Sequence, residues 1–562
     1  MHNSIARSFF IAALALLSFH VVAKDAKGMP HFQENSGRHA LIVDGEPYLI
    51  LGVQANNSSN YPAALKDVWP TVEQVDANTL EIPVAWEQIE PQENHFDFSY
   101  LDVLLKEARQ HHVRLVLLWF ATWKNNAPNY APAWVKLDNK RFPRVVKQDG
   151  TTVNSLSPMY RGTLEADKKA FIALMTYLKK EDRDHTVIMV QVENEVGTYG
   201  EVRDYSKVAQ AEFVKEVPAD LRDAFKLPEG SWSAAFGENA DEFFHAYYIA
   251  RYVDEIVAAG KAVYPLPMYL NVALRSPFNP GKPGQYSSGG ATDNVIPIWK
   301  LAAPNIDMIS PDIYFHDYKS IVKIIELYSR PDNPLFVPEI GNGRSFARYI
   351  FAVLGHHSIG FSPFGMDTTG YYNYPLGAQD DSKATFEVFA EAYRLLRPWA
   401  RAWAKLSFNN ETWGFSEQGL EADNNPFASD APAQDEKPKR KQDIIAASTQ
   451  NADLGRWNVE VTYGRPMFWI KPPQGNSPPS GGALIAKLSE DEFLVTALRA
   501  RVTFLPSDET KGQRYMMARV EEGHFDSRGK WVFERIWNGD EADWGLNFDG
   551  KYHLLKVKMA TY

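Results

Sequence analysis

Cysteine is absent from the 562 residues, which excludes disulfides, thiolate metal sites, iron–sulfur clusters and cysteine nucleophiles together. Basic charge is also short. Lys and Arg number 59 against 70 Asp and Glu, a net charge of −11, which argues against the basic face of a nucleic-acid binder. No phosphate loop or dinucleotide glycine motif occurs, no His-Glu-x-x-His metal motif, and no G-x-S-x-G elbow. Long hydrophobic runs are missing except at the start. Arg7 and then an apolar run over 9–22 read as a signal peptide spanning 1–23, because the run is shorter than the ~20 residues needed to cross a bilayer. The expectation is therefore a periplasmic or secreted protein with no membrane attachment after cleavage. What is abundant is aromatic: 15 Trp, 26 Tyr and 32 Phe, enough for large cores and for ligand platforms as well.

From about residue 38 to 396, short runs rich in Val, Ile, Leu and Phe alternate with longer amphipathic stretches. The runs are 47–54, 79–86, 113–120, 187–193, 267–274, 306–314, 335–340 and 359–366. Near-continuous apolar character is what a parallel strand buried on both faces requires. Eight such strands with helical spacers predict an α/β fold, a (β/α)₈ TIM barrel over 24–403. An open doubly wound sheet would call for a glycine-rich phosphate loop that the chain lacks. Beyond it, 418–442 is a polar loop, and strand-like pieces at 457–463, 483–488, 498–505, 514–520, 530–536 and 553–559 predict a smaller antiparallel β-sandwich over 404–562.

Active sites of such barrels lie where the strands end. Two predicted strand ends carry carboxylates: the fourth, at Glu193-Asn194-Glu195, and the seventh, at Glu339. A carboxylate ending an apolar buried strand is costly unless used or paired. Two across one barrel mouth suit a retaining glycosidase, whose acid and nucleophile lie ~5 to 5.5 Å apart, whereas inversion needs up to ~9.5 Å. A salt bridge from Glu339 to Arg344 is the structural alternative.

Gln191-Val192-Glu193-Asn194-Glu195-Val196-Gly197 resembles the Q-x-E-N-E-Y-G stretch of glycoside hydrolase family 35, the β-galactosidases, departing only at Val196. Trp86 to Pro91 with Phe96-Asp97-Phe98 is similar to that family's W-x-x-x-E-P…F-x-F segment. Gln54 to Ser59 resembles the first strand end of a bacterial branch with an appended β domain. The resemblance covers roughly 38–400 and implies a retaining exo-β-galactosidase without cofactor, acting on terminal β-galactosides of oligo- or polysaccharides, xyloglucan-type chains among them. It implies Glu195 as acid/base, Glu339 as nucleophile, Asn194 on the sugar 2-OH and Tyr314 as the group orienting the nucleophile. The family's acidic residue after the third strand is missing. Trp123, Lys124 and Asn125 stand there instead, with Trp123 read either as a stacking platform on a mouth loop or as a ring packed under that loop, and Asn57 as a sugar contact. Other retaining β-glycosidases (β-glucosidase, endo-glycanase) and a non-catalytic sugar-binding barrel remain the alternatives.

Overall fold

A computed structural model describes residues 28–419, 441–464 and 472–562. The expected signal segment lies outside the described residues, as does most of the polar loop at 418–442. Eight parallel strands close into a barrel in simple sequence order: β1 (Ile50–Gln54), β2 (Thr79–Ala85), β3 (Arg114–Lys124), β4 (Val187–Asn194), β5 (Met268–Ala273), β6 (Met308–Ile313), β7 (Val337–Ile340) and β8 (Gly360–Pro363). β8 pairs back onto β1 through Gly360 opposite Ile50. The principal helices packed outside are α1 (Pro62–Gln74), α2 (Ser99–Gln110), α3 (Arg161–Glu181), α4 (Ala240–Val263), α5 (Ile296–Ala302), α6 (Tyr318–Tyr328), α7 (Tyr349–Gly355) and α8 (Lys383–Leu396).

The period of two sorts each strand into layers. On β3, Leu115, Leu117 and Trp119 join the helix-facing core, while Val116, Leu118 and Phe120 point inward. The inner layer is completed below by Leu41, Val43 and Tyr48 of a three-stranded antiparallel sheet that plugs the barrel floor. Residues above that layer face the open end.

Two departures from regular alternation decide the chemistry. On β7 the register shifts between Val337 and Ile340, so both side chains, three apart, lie in the outer core while Glu339 turns to the interior. At the end of β4, Glu193 and Glu195 adopt left-handed backbone, φ 63° and 47°. Such a conformation costs a non-glycine residue ~1 kcal/mol or more and marks a site that the surroundings hold in place.

The third strand runs four residues past its expected end, to Lys124. That places Trp123 on a strand rather than a loop. After the barrel, a helix at Ala400–Asn409 leads into two antiparallel sheets, one of six strands and one of four, whose inner faces share a core including Trp457, Val461, Ile485, Val495 and Val557. The first strand of the six, at Thr412–Ser416, packs so tightly on α7 that a Cβ on Gly414 would fall 1.8 Å from the carbonyl oxygen of Phe351. Only glycine permits that approach. Among the described residues no helix is long and apolar enough to cross a membrane.

Candidate active site

A cavity of about 720 Å³ opens at the C-terminal ends of the barrel strands. Its wall takes Asn57 from beyond β1, Lys124 and Asn125 from the end of β3, and Glu195 and Tyr199 from beyond β4. Asp312 and Tyr314 come from β6 and its end, Glu339 from β7, and Tyr371 and Asn373 from the loop after β8. Two loops are pinned to shape it. Thr198 and Ser288 exchange backbone hydrogen bonds (2.9 and 3.0 Å), joining the segments after β4 and β5. Across the mouth, the fully buried Asp367 carboxylate accepts from the Asn56 backbone N–H (2.7 Å), Asn56 Nδ2 (2.8 Å) and Ser59 Oγ (2.8 Å), fastening the loop after β8 to the one after β1.

Glu339 is 5% exposed. Its Oε2 accepts from Gln54 Nε2 (3.0 Å) and its Oε1 from the Tyr314 hydroxyl. Both donors satisfy an ionised carboxylate. Arg344, the alternative partner, does not bridge to it. Glu195 stands in a different environment. Burial raises its carboxyl first, the charge of Glu339 raises it further, and Lys124 opposes both, leaving it at about 7. Its backbone is held by Asn271, whose Oδ1 accepts the Glu195 N–H (2.9 Å), and by Asn126, which donates to the Glu195 carbonyl (2.6 Å). Two donors thus face one carboxyl, while the other is kept protonated to near neutrality, an inequality that acid/base work needs.

Glu193 faces the other way. Its left-handed backbone turns the carboxyl outward to Asp167 of α3, where Oε2 accepts the Trp123 backbone N–H (2.7 Å). Asp167 also accepts from Trp119 Nε1 (3.0 Å) and Thr122 Oγ1 (2.5 Å). Burial, and after it the Asp167 charge, push Glu193 well above the carboxylate range, so this pair holds a proton beneath the site. Between the two glutamates Asn194 is fully buried, and neither atom of its amide has a protein partner. An unpaired buried amide costs ~1–3 kcal/mol, which ligand contact would offset.

The residues expected from sequence therefore separate. Glu195, Glu339, Tyr314, Lys124, Asn125 and Asn57 surround one cavity, with Asn194 buried between Glu193 and Glu195. Trp123 does not reach it. Its ring is fully buried, edge-on to Tyr252 at 4.7 Å, with Nε1 donating to the Leu156 carbonyl (3.1 Å). Of the two readings of Trp123, the packed ring is the one observed, because strand β3 continues through it. Asp312, Glu81, Gln54, Asn271 and Tyr199 were not anticipated. The criterion that found Glu195 and Glu339, a carboxylate within an apolar strand, applies equally to Asp312 and Glu81. Among the described residues no group of three or more His, Asp or Glu has a metal-holding arrangement.

Residues 63–245 match the family model of glycoside hydrolase family 42, described as "Beta-galactosidase", and residues 389–549 match a domain of unknown function, DUF5597. A β-galactosidase of Xanthomonas manihotis is 28% identical over 181 residues, 31% of this chain and 28% of that protein. Among solved structures, the β-galactosidase of Bacillus circulans sp. alkalophilus aligns with a TM-score of 0.47 at 14% identity, over 65% of this chain and 57% of that one. A catalytic mutant of Gan42B, a family 42 β-galactosidase from G. stearothermophilus, gives 0.46 at 16%, over 64% and 58%. The chain thus spans about a quarter of the curated relative's length and under two thirds of these solved chains. The family 35 resemblance is not supported: the model that matches, over the stretch carrying Glu193-Asn194-Glu195, is that of the family 42 β-galactosidases.

Proposed function

We propose that this protein is a retaining, exo-acting β-galactosidase that removes terminal β-galactose from oligo- or polysaccharide side chains, xyloglucan-type chains among them. The observation that carries this reading is the unequal pair at the ends of β4 and β7. Glu339 accepts from two donors, and Glu195 holds its proton to about 7 partly through the Glu339 charge. In the first step Glu339 attacks the anomeric carbon while the Glu195 proton passes to the departing oxygen. In the second, the Glu195 carboxylate takes a proton from water, which opens the glycosyl ester and restores both groups. The unpartnered Asn194 amide meets the sugar 2-OH, a contact that strengthens as the ring gains oxocarbenium character. Asn57, Lys124 and Asn125 are within the wall that receives the remaining hydroxyls.

The joined segments after β4 and β5 wall one side of the cavity, consistent with a terminal sugar held in a pocket rather than a chain threaded along a cleft. The leaving group lies on the Glu195 side, over Tyr199. The protein is taken as exported through residues 1–23, which the mass of the mature N-terminus tests.

Two variants test the mechanism. Glu339→Ala is expected to be nearly inactive, with azide restoring turnover as the α-glycosyl azide. Glu195→Ala is expected to cleave aryl glycosides with good leaving groups and to fail on natural sugars. Substantial activity in Glu339→Ala would sink the assignment. A panel of aryl β-glycosides separates galactosidase from glucosidase or endo-glycanase: faster turnover of the glucoside than the galactoside would refute the substrate.

A further inference from the structure

A third carboxyl stands in this cavity, and the mechanism above does not use it. Asp312, 3% exposed, lies on β6 directly opposite Glu339 in the β6–β7 register. One side of it is fully accounted for. Asn271 of β5 donates from Nδ2 to Asp312 Oδ2 (2.6 Å) while its Oδ1 accepts the backbone N–H of Glu195 (2.9 Å). Those two bonds fix which way the Asn271 amide points. The other oxygen, Oδ1, receives no N–H or O–H from any uncharged neighbour, and the Asp312 carboxyl is in hydrogen-bond contact with that of Glu195. Two carboxyls in contact require a proton between them.

Of the cations lining the same cavity, Arg275 is held by the Asp293 carboxylate through Nε (2.7 Å) and Nη2 (2.8 Å). From β3 comes Lys124, whose ammonium is already bonded to Asn125 Oδ1 (2.6 Å). From β7 comes Glu339 itself, and from the end of β4, Glu195. Tyr314, beyond β6, commits its hydroxyl to Glu339; Tyr269 on β5 commits its own to Glu81 (3.2 Å); and Tyr328 of α6 donates to the Ala291 carbonyl (3.2 Å).

We propose that Asp312 is a positioning residue that stays protonated throughout turnover and donates its carboxyl O–H to Glu195, stabilising the carboxylate that Glu195 becomes once it has protonated the leaving group. Its own proton is never transferred. Glu195 gives its proton to the departing oxygen, exists as an anion during the life of the glycosyl ester, and recovers a proton from water, while the Asp312 hydrogen bond shortens the gap between its two states. Burial, then the charges of Glu339 and Glu195, hold Asp312 well above the carboxylate range, and its hydrogen bond brings Glu195 down from where burial and Glu339 would leave it. The catalytic consequence rests on the proposed retaining mechanism; the protonation of Asp312 does not.

The test pairs Asp312→Asn with Asp312→Ala in the full-length protein. Asn keeps a donor toward Glu195 and an acceptor for Asn271 but carries no titratable proton. In an infrared difference spectrum at pH 7, wild type minus Asp312→Asn, a protonated-carboxyl stretch belonging to the wild type is expected. Its absence overturns the proposal, whether or not the protein turns over any glycoside. In pH profiles of kcat/KM on an aryl β-galactoside, Asp312→Asn is expected to leave the basic limb in place. Asp312→Ala is expected to move that limb upward by about one to two pH units, the size of a charge-assisted hydrogen bond. A downward shift in Asp312→Asn would mean that Asp312 had been an anion and overturns the proposal, as does an unmoved limb in Asp312→Ala. If wild type hydrolyses no glycoside, the functional reading falls and the infrared result alone decides Asp312.

Discussion

Replacing Glu81 by Gln is expected to leave the barrel's stability near pH 4 almost unchanged and to make the variant clearly more stable than wild type in alkali. Glu81 sits on β2 with no exposed surface, accepting from the Tyr269 hydroxyl (3.2 Å). Burial, and to a smaller degree the Glu339 charge, raises its carboxyl from 4.5 to about 8. A raised carboxyl means the native state keeps its proton while the unfolded chain has already released it. Stability therefore falls as pH rises from 4.5 to about 8 and is level outside that window. At ~1.4 kcal/mol per pH unit, the interval amounts to about 5 kcal/mol. Gln presents the same shape and an acceptor for Tyr269, and does not titrate. The other buried acids titrate alike in both proteins and cancel in the difference. The assay is urea-dependent hydrogen exchange of peptides from β1 to β4 at pH 4 to 9, which confines the readout to the barrel. The gap in unfolding free energy between variant and wild type should open by about 5 kcal/mol across the series. A gap that stays constant refutes the claim that Glu81 is held neutral.

Tyr314→Phe removes a hydroxyl donor from Glu339 and is expected to lower kcat/KM on a β-galactoside by about 10²-fold with an unaltered circular dichroism spectrum. Near-wild-type kinetics would show that the donor does not orient the carboxylate. Trp123→Phe loses the bond to Leu156 and packing on Tyr252, so it should destabilise by about 1–3 kcal/mol and leave KM alone. A raised KM with full stability would return the ring to the sugar site. Tyr199, 45% exposed and four residues past Glu195, lines the leaving-group side. Tyr199→Ala should therefore reduce kcat/KM for a galactosyl disaccharide several-fold more than for an aryl galactoside, and equal losses would count against that placement.

The eight barrel strands were legible because a strand buried on both faces cannot conceal its apolar run; all of Thr79–Ala85 and of Val187–Asn194 is buried. Limits between strands were harder to read. Thr122 and Lys124 look like loop residues, yet both belong to β3 because Asp167 and the cavity receive their polar ends. In the sandwich, the strand at Glu492–Leu498 merges in sequence with the preceding one, since only a two-residue turn separates them. Thr449–Asp453 was missed because it is a half-exposed edge strand of polar residues.

Composition and pattern alone determined the closed parallel barrel, the absence of any thiol chemistry, and the two strand-end glutamates as the reactive candidates. These follow from residue type and period, which the chain carries locally. Tertiary structure decided what each carboxyl does, because protonation depends on neighbours drawn from distant segments. Asp167 from α3 takes Glu193 out of the cavity, Gln54 and Tyr314 donate to Glu339, and Asp312 meets Glu195. Carboxyls on buried strands and at their ends look alike in sequence. Burial and contact give them different charges, and those differences make a site of them.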